Sequence, residues 1–467
     1  MLAAMSFRAA SSVAVTDRRQ RLAIANAVLK QYAGRRERWG ELPDVQGLRE
    51  LAGKIKQHAL DYLDYYLDQL KANVEKRGGV VHFAETAEDA RRIVMGIVRD
   101  NGCRRIIKSK SMVSEEVDLT RHMEQAGLDV AETDLGEFIA QIARERPSHI
   151  VGPIIHMDRQ TIAGHFSRYF AEECDDDPVL LTMRARTHLR EKFRRADLGM
   201  TGGNFLIAET GQVCVVENEG NARHSTTGPR ILVSMVGIEK VVPRLDDLAV
   251  MLKLLGRSST GQPMTVYTNL FGGTRAVGEK DGPEQFHLVL VDNGRSRILA
   301  GEYREALRCI RCGACLNACP VYRTIGGQAY GHVYSGPIGA VITPLMNTLT
   351  EHADLPRASS LCGICAEVCP VKIDLPNLLL KLRRDLVAGG HTSWRDRMLY
   401  RLWAWSNMTP FRYRMAAWMQ RRALRKLADG DGFVNSAPGV AAAWTISRDL
   451  PAPAARSFRQ LWARRGK

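Results

Sequence analysis

The chain has 467 residues, 45% hydrophobic and 25% charged, a balance that excludes a collagen, a disulfide-rich miniprotein and wholesale disorder. The length suggests about three domains. Its net charge of +15 is concentrated: residues 391–467 hold 15 Lys/Arg against four Asp/Glu and six of the seven Trp, so an anionic surface, an acidic partner or a nucleic acid has to be weighed.

Residues 1–78 read as helical, with Leu48, Leu51, Ala52, Ile55, Ala59, Tyr62, Tyr66 and Leu70 on one face and Gly78–Gly79 as the stop. The Arg18–Arg19 pair precedes a short run, Leu22–Leu29, that contains Asn26; it reads as the first helix rather than an export signal. A strand–helix alternation follows. Val80–Ala84 is a strand, and Thr86-Ala-Glu-Asp89 a helix cap. Ala90, Ile93, Val94, Ile97 and Val98 form a buried helix face, Arg105–Lys108 the next strand and Ser114–Ala126 the next helix. Further strands are expected at His149–Ile154, Asn204–Ala208, Val213–Val216, Lys240–Val242 and Phe286–Val291. The alternation implies an α/β domain whose sheet is mainly parallel, with flanking helices. The segments are 1–78 helical, 79–300 α/β, 301–390 cysteine-rich and 391–467 a basic, Trp-rich tail. The longest charge-free stretch, Thr324–Thr350, is broken by Gly and Pro and is not a transmembrane span.

Seven of the ten Cys fall between 309 and 369, in the motifs Cys309-x2-Cys312-x2-Cys315-x3-Cys319-Pro320 and Cys362-x2-Cys365-x3-Cys369-Pro370. Clustering of this kind in a basic chain points to metal binding in a reducing compartment. In the bacterial C-x2-C-x2-C-x3-C-P run, three close cysteines hold one [4Fe–4S] cube and the fourth holds the neighbouring one. That assigns Cys309, Cys312, Cys315 and Cys369 to the first cluster, and Cys319, Cys362 and Cys365 to the second. Three positions before Cys362 stands Ser359, where a ferredoxin has its eighth Cys. The second cluster is then either [3Fe–4S], or [4Fe–4S] with Ser359, solvent or a partner as fourth ligand. The competing reading is a pair of zinc sites, disfavoured by the crossed pattern and the Cys-Pro endings. Gly313, Ala314, Gly363 and Ala366 are small enough to let backbone N–H groups reach the sulfurs. Gly336–Ile342 reads as a helix opening at Pro337 and packing against the clusters.

The chain resembles the lactate utilization protein B family along nearly its whole length. The resemblance rests on Lys108-Ser-Lys-Ser-Met112, Glu132-Thr-Asp-Leu-Gly-Glu-Phe138, Pro147-Ser-His149, Glu217-Asn-Glu-Gly-Asn-Ala-Arg223, Asp292-Asn-Gly-Arg295, both cysteine motifs, Tyr334-Ser-Gly-Pro-Ile-Gly339, Trp444-Thr-Ile-Ser-Arg-Asp449 and Ser457-Phe-Arg459. It implies an α/β domain similar to sugar-phosphate isomerases and CoA transferases, followed by an α-helical ferredoxin-like domain with two clusters. It implies an electron-carrying role in oxidation of L-lactate to pyruvate. The implied partners are a cysteine-rich CCG-type subunit and a shorter subunit with a lactate-utilization domain, with a quinone or another carrier as acceptor. The missing eighth Cys looks like a feature of the family. The expected location is cytoplasmic, or peripheral at the inner face of the membrane.

Other candidates have ordinary readings beside the functional one. Lys108, Lys110, Asn221 and Arg223 lie near expected strand ends and form a possible anion site; the alternatives are a capped helix start and a polar turn with an internal Arg–Glu pair. Thr201-Gly-Gly-Asn204 is a glycine turn but no dinucleotide fingerprint, and no flavin motif is evident. Asp134 and Glu209 could act as bases, without a visible nucleophile. His149, His156 and His332, and Cys103, Cys174 and Cys214, read as core or surface residues. The tail has no RRM, KH or helix-turn-helix signature, which argues against nucleic acid. A second functional reading makes the α/β domain itself the lactate-oxidising site.

Overall fold

The computed structural model describes residues 5–439, 442–445 and 448–465. Ile446 and Ser447 of the Trp444–Asp449 segment lie outside them. The chain forms two compact units, Met1–Leu386 and Val387–Lys467.

The first unit contains strands β1 Val80–Ala84, β2 Arg105–Lys108, β3 Asp129–Glu132, β4 Leu198–Thr201, β5 Phe205–Ile207, β6 Gln212–Glu217, β7 Ile231–Gly237, β8 Val241–Val242, β9 Tyr267–Phe271 and β10 Gln285–Val291. Among the described residues, six form one parallel sheet in the order β1-β10-β7-β4-β2-β3. The period-2 alternation of β7 explains its place in the middle. Ile231, Val233 and Met235 join one apolar core, while Leu232 and Val236 join the core on the opposite face. The first core is closed by Ala90, Val94 and Ile97 of the helix Ala87–Asp100. That helix begins where expected, because Thr86 and Asp89 cap it reciprocally. On the other face lie the helix Leu63–Lys76 and a smaller four-stranded sheet, β8-β5-β6-β9.

Several expectations are corrected. His149–Ile154 is a loop: His149 Nδ1 accepts the N–H groups of Val151 and Gly152, which turns the chain where a strand would pair. Ser114–Ala126 is two helices, Met112–Glu116 and Leu119–Gln125, broken at Asp118 in the left-handed region. The expected face of residues 48–70 is split between Val45–Asp61 and Leu63–Lys76, with Leu51 and Tyr62 exposed. The early helices do not stand apart. Ile24, Val28 and Ala52 share one core with Leu316, Tyr322 and Leu379 of the cysteine-rich part.

The second unit is helical, with helices Trp394–Asn407 and Pro410–Leu427, and a short antiparallel pair, β11 Phe433–Val434 and β12 Leu450–Pro451. Neither of the two helices buries a residue.

Candidate functional site

The seven clustered cysteines form two adjoining groups. Cys312 feels the charge of Cys309 and Cys369, and Cys315 that of Cys309, Cys312 and Cys369. Cys319 feels Cys362, and Cys365 feels Cys319 and Cys362. The groups adjoin, since Cys315 also feels Cys365. Burial pushes the Cys312 and Cys365 thiols up to about 12 and Cys369 up to about 11, so without metal these are neutral thiols. Backbone amides already point at sulfur: Arg311 N–H donates to Cys309 Sγ at 3.4 Å, Tyr322 to Cys319 at 3.5 Å and Ile373 to Cys369 at 3.3 Å. Among the described residues no three His, Cys, Asp or Glu side chains converge tightly enough for one metal ion.

Buried cations surround the sulfurs, and these were not read from the sequence. Arg35 lies near Cys312, Arg49 near Cys369, and Lys56, Lys240 and Arg311 near Cys309. Burial pulls Arg35 down to about 10, Lys56 to about 7 and Lys240 to about 8. Arg35 Nε and Arg311 Nη1 are buried with no hydrogen-bond partner among the described residues. Glu239 already answers Arg311, at 3.6 Å, and acts on Lys56 and Lys240, whereas Arg35 makes no ion pair with a carboxylate among the described residues, and a cation this deep needs an anion. Thiolate-held iron–sulfur clusters are net anionic, so residues and groups fit. Arg49 also ties the second motif to the first helices: it donates to the carbonyls of Ala366, Glu367 and Cys369 at 2.7–3.2 Å. A stripe at 49, 52, 53 and 56 is buried throughout, so Arg49 and Lys56 were legible as polar members of an inward face.

The cysteine-rich part meets the α/β part at the carboxyl ends of the parallel strands. Arg295, after β10, pairs with Glu116 at 2.8 Å and with Glu239, after β7, at 2.5 Å. Tyr334 donates to the same Glu116 at 2.5 Å, and Arg311 stacks on its ring at 4.3 Å. A buried charge network thus runs from the sheet to the loop between Cys309 and Cys312. His149, held neutral by burial with its pKa near 3, contacts Asn317 Oδ1 at 3.0 Å. Gly313 suits the turn there by its backbone, not by lack of room. Its φ is 77°, the left-handed region that favours glycine, and a Cβ would meet His149 and Val151 at an ordinary contact distance of 3.4 Å. Val151 also lines a cavity of about 380 Å³, with Ile139, Phe166 and Leu181 on its apolar walls and Asp134 and Glu219 among its polar groups. Glu219 is exposed as a residue, but its carboxyl turns into this cavity, where desolvation, then Asp134, pushes it up to about 7.

The four residues of the possible anion site share no hydrogen bond with one another among the described residues. Lys108 is fully buried and matched by Glu132 at 2.8 Å, Glu115 at 3.2 Å and Glu137 at 3.5 Å, which leaves no free charge for an anion. Lys110 donates to Val151 O at 2.8 Å, and Asn221 to Thr133. Arg223 is exposed; its loop is closed by Glu217, which accepts the N–H groups of Ala222 and Arg223, both at 2.8 Å. Cys103 and Cys214 are buried and Cys174 partly so. Gly336–Met346 is a helix buried along nearly its whole length, with Pro337 near its start.

Three family models match successive stretches of the chain. Residues 67–291 match a LUD domain, 305–373 a 4Fe-4S dicluster domain and 384–467 the C-terminal domain of lactate utilisation protein B. A lactate utilization protein B of Bacillus licheniformis is 44% identical over 447 residues, 95% of this chain and 94% of the relative. One from Exiguobacterium is 44% identical over 453 residues, 97% and 96% of the two chains. A solved duf162 family protein from Deinococcus radiodurans covers 49% of this chain and 98% of its own at 14% identity, with a TM-score of 0.29, too low to bear on the fold. With identity above 40% sustained over nearly the full length of both chains, the chain belongs to the lactate utilization protein B family.

Proposed function

We propose that the chain is an electron relay in L-lactate catabolism, working while L-lactate is oxidised to pyruvate. The observation that carries this is the pair of adjoining cysteine groups set among buried cations. Two iron–sulfur clusters, when bound there, take up and pass on single electrons. The chain's own residues do the rest. Cys309, Cys312, Cys315 and Cys369 hold the first cluster, and Cys319, Cys362 and Cys365 the second. Arg35, Arg49 and Arg311 supply compensating charge, backbone N–H groups bond to sulfur, and the buried helix Gly336–Met346 excludes water. The cysteine-rich CCG-type subunit and the shorter lactate-utilization subunit are the proposed partners, and a quinone or another carrier the acceptor. The parallel sheet with flanking helices is compatible with the isomerase- and CoA-transferase-like fold that the resemblance implies.

The same reading gives the tail a docking role. Trp394, Trp403, Trp405 and Trp418 are exposed, and Arg412 and Arg422 stack on Trp405 and Trp418. Aromatic and Arg side chains suit an anionic lipid surface or a partner's face. No described helix is long and apolar enough to cross a membrane.

A second reading makes the α/β part the site of lactate oxidation. It is favoured by the cavity at the sheet's carboxyl edge, whose wall residue Val151 lies beside Gly313. L-lactate added anaerobically to the isolated, cluster-loaded chain separates the two. The relay reading expects no bleaching until partners are added; bleaching of the isolated chain moves the chemistry into this cavity.

A further inference from the structure

The two cysteine loops repeat one conformation. In the first, Arg311 and Gly313 flank Cys312 in the left-handed region, with φ 58° and 77°. In the second, Leu361 and Gly363 flank Cys362, with φ 55° and 88°. A left-handed non-glycine residue costs about 1 kcal/mol or more, so its recurrence at the matching position marks a shared requirement. Each glycine opens a short helix bearing the next cysteine, Ala314–Ala318 with Cys315 and Ile364–Glu367 with Cys365. The opening bonds match as well. Leu316 and Asn317 donate to Gly313 O at 2.9 and 3.1 Å; Ala366 and Glu367 donate to Gly363 O at 3.0 and 3.2 Å.

The match extends one step back. Arg311 N–H donates to Cys309 Sγ at 3.4 Å, and Leu361 N–H donates to Ser359 Oγ at 3.1 Å. Ser359 Oγ therefore takes the place in the second loop that a ligating sulfur takes in the first. Its backbone is pinned: Arg383 donates to Ser359 O at 3.1 Å and to Pro356 O at 2.8 Å.

Resting on the reading that these cysteines hold clusters, we propose that Ser359 Oγ is the fourth ligand of the second cluster, which is then a [4Fe–4S] group held by three thiolates and one serine oxygen. The bond that forms is Oγ–Fe. The hydroxyl proton leaves to solvent, and no electron is gained or lost. Cys362 is exposed and Ser359 half-buried, so solvent is the rival ligand.

The test uses full-length protein loaded and handled anaerobically. The parent and Ser359→Cys should each hold about eight irons, four per cube, and survive brief mild oxidation. Ser359→Ala should lose about one of them under the same treatment and gain the EPR signal of a three-iron cluster. Mössbauer spectra of the parent should contain one oxygen-ligated iron site, replaced by a sulfur-ligated one in Ser359→Cys. The proposal is overturned if Ser359→Ala keeps its iron as the parent does. It is equally overturned if the Ser359→Cys spectrum is unchanged, or if isotope-labelled water broadens the parent's EPR signal and so identifies solvent as the ligand. The relay reading fails in a different way, by the parent holding no cluster at all.

Discussion

Arg49 is the test of whether the first helices are part of the cluster site. The residue is 6% exposed, and its guanidinium serves three backbone carbonyls, those of Ala366, Glu367 and Cys369, while Nη1 reaches Gln46. Arg49→Ala leaves Glu367 O with no other donor among the described residues, while Ala366 O keeps the N–H of Cys369 and Cys369 O keeps that of Lys372, both at 3.3 Å. A buried acceptor left unsatisfied costs about 1–3 kcal/mol, so the change should cost about 1–3 kcal/mol, with the lower figure applying where water enters the vacated space. Arg49→Lys keeps the charge but not the fork, and should recover only part of the loss. The assay is the urea midpoint of the anaerobic cluster-loaded protein, with iron and sulfide measured on the same sample. Cys369 ends the segment that Arg49 holds, so iron should be lost from the Cys309, Cys312 and Cys315 group as stability falls. A variant within about 0.5 kcal/mol of the parent, with its iron intact, would refute the reasoning.

The crossed ligand pattern predicts that Cys319→Ser disturbs mainly the cluster of Cys362 and Cys365, and Cys369→Ala that of Cys309, Cys312 and Cys315. EPR with iron analysis checks this, and loss of the first cluster alone in Cys319→Ser would contradict it. Glu219 gives a pH effect whose sign is fixed by its raised carboxyl. Folded Glu219 keeps a proton to about 7, whereas unfolded Glu219 releases it in the usual carboxylate range, so this group's contribution to stability is lost as pH rises through 7. Glu219→Gln should therefore raise the urea midpoint at pH 8 and leave it near the parent's at pH 4; equal midpoints at both would refute the shift. For the tail, full-length protein should float with vesicles containing anionic lipid at low salt. Changing Arg421, Arg422 and Arg425 to Gln should weaken that binding about a hundredfold, at about 1 kcal/mol per basic residue, and unchanged flotation would argue against membrane docking.

What could be read from the sequence followed local rules. β1 and β2 were found at their observed bounds, since each is a short apolar run and the first leads into a capped helix. β4 was missed because Leu198-Gly-Met-Thr201 is brief and carries a glycine, which a sequence pattern treats as a break. His149–Ile154 looked like a strand by composition, but the His149 ring turns the backbone, an interaction no periodicity records. That the seven cysteines gather in two adjoining groups was legible from spacing alone. The cations around them were not, because helical periodicity shows that Arg49 and Lys56 face inward without naming what they face. Lys108 illustrates the converse error. Its place at a strand end suggested an anion, whereas Glu115, Glu132 and Glu137 had already claimed its charge.

The most direct test of the relay is low-temperature EPR on the anaerobic, cluster-loaded chain mixed with its two proposed partner subunits, before and after L-lactate. Lactate should reduce the clusters held by Cys309, Cys312, Cys315 and Cys369 and by Cys319, Cys362 and Cys365 only when the partners are present, and an added acceptor should reoxidise them. Clusters that stay oxidised while the mixture converts lactate to pyruvate would contradict it.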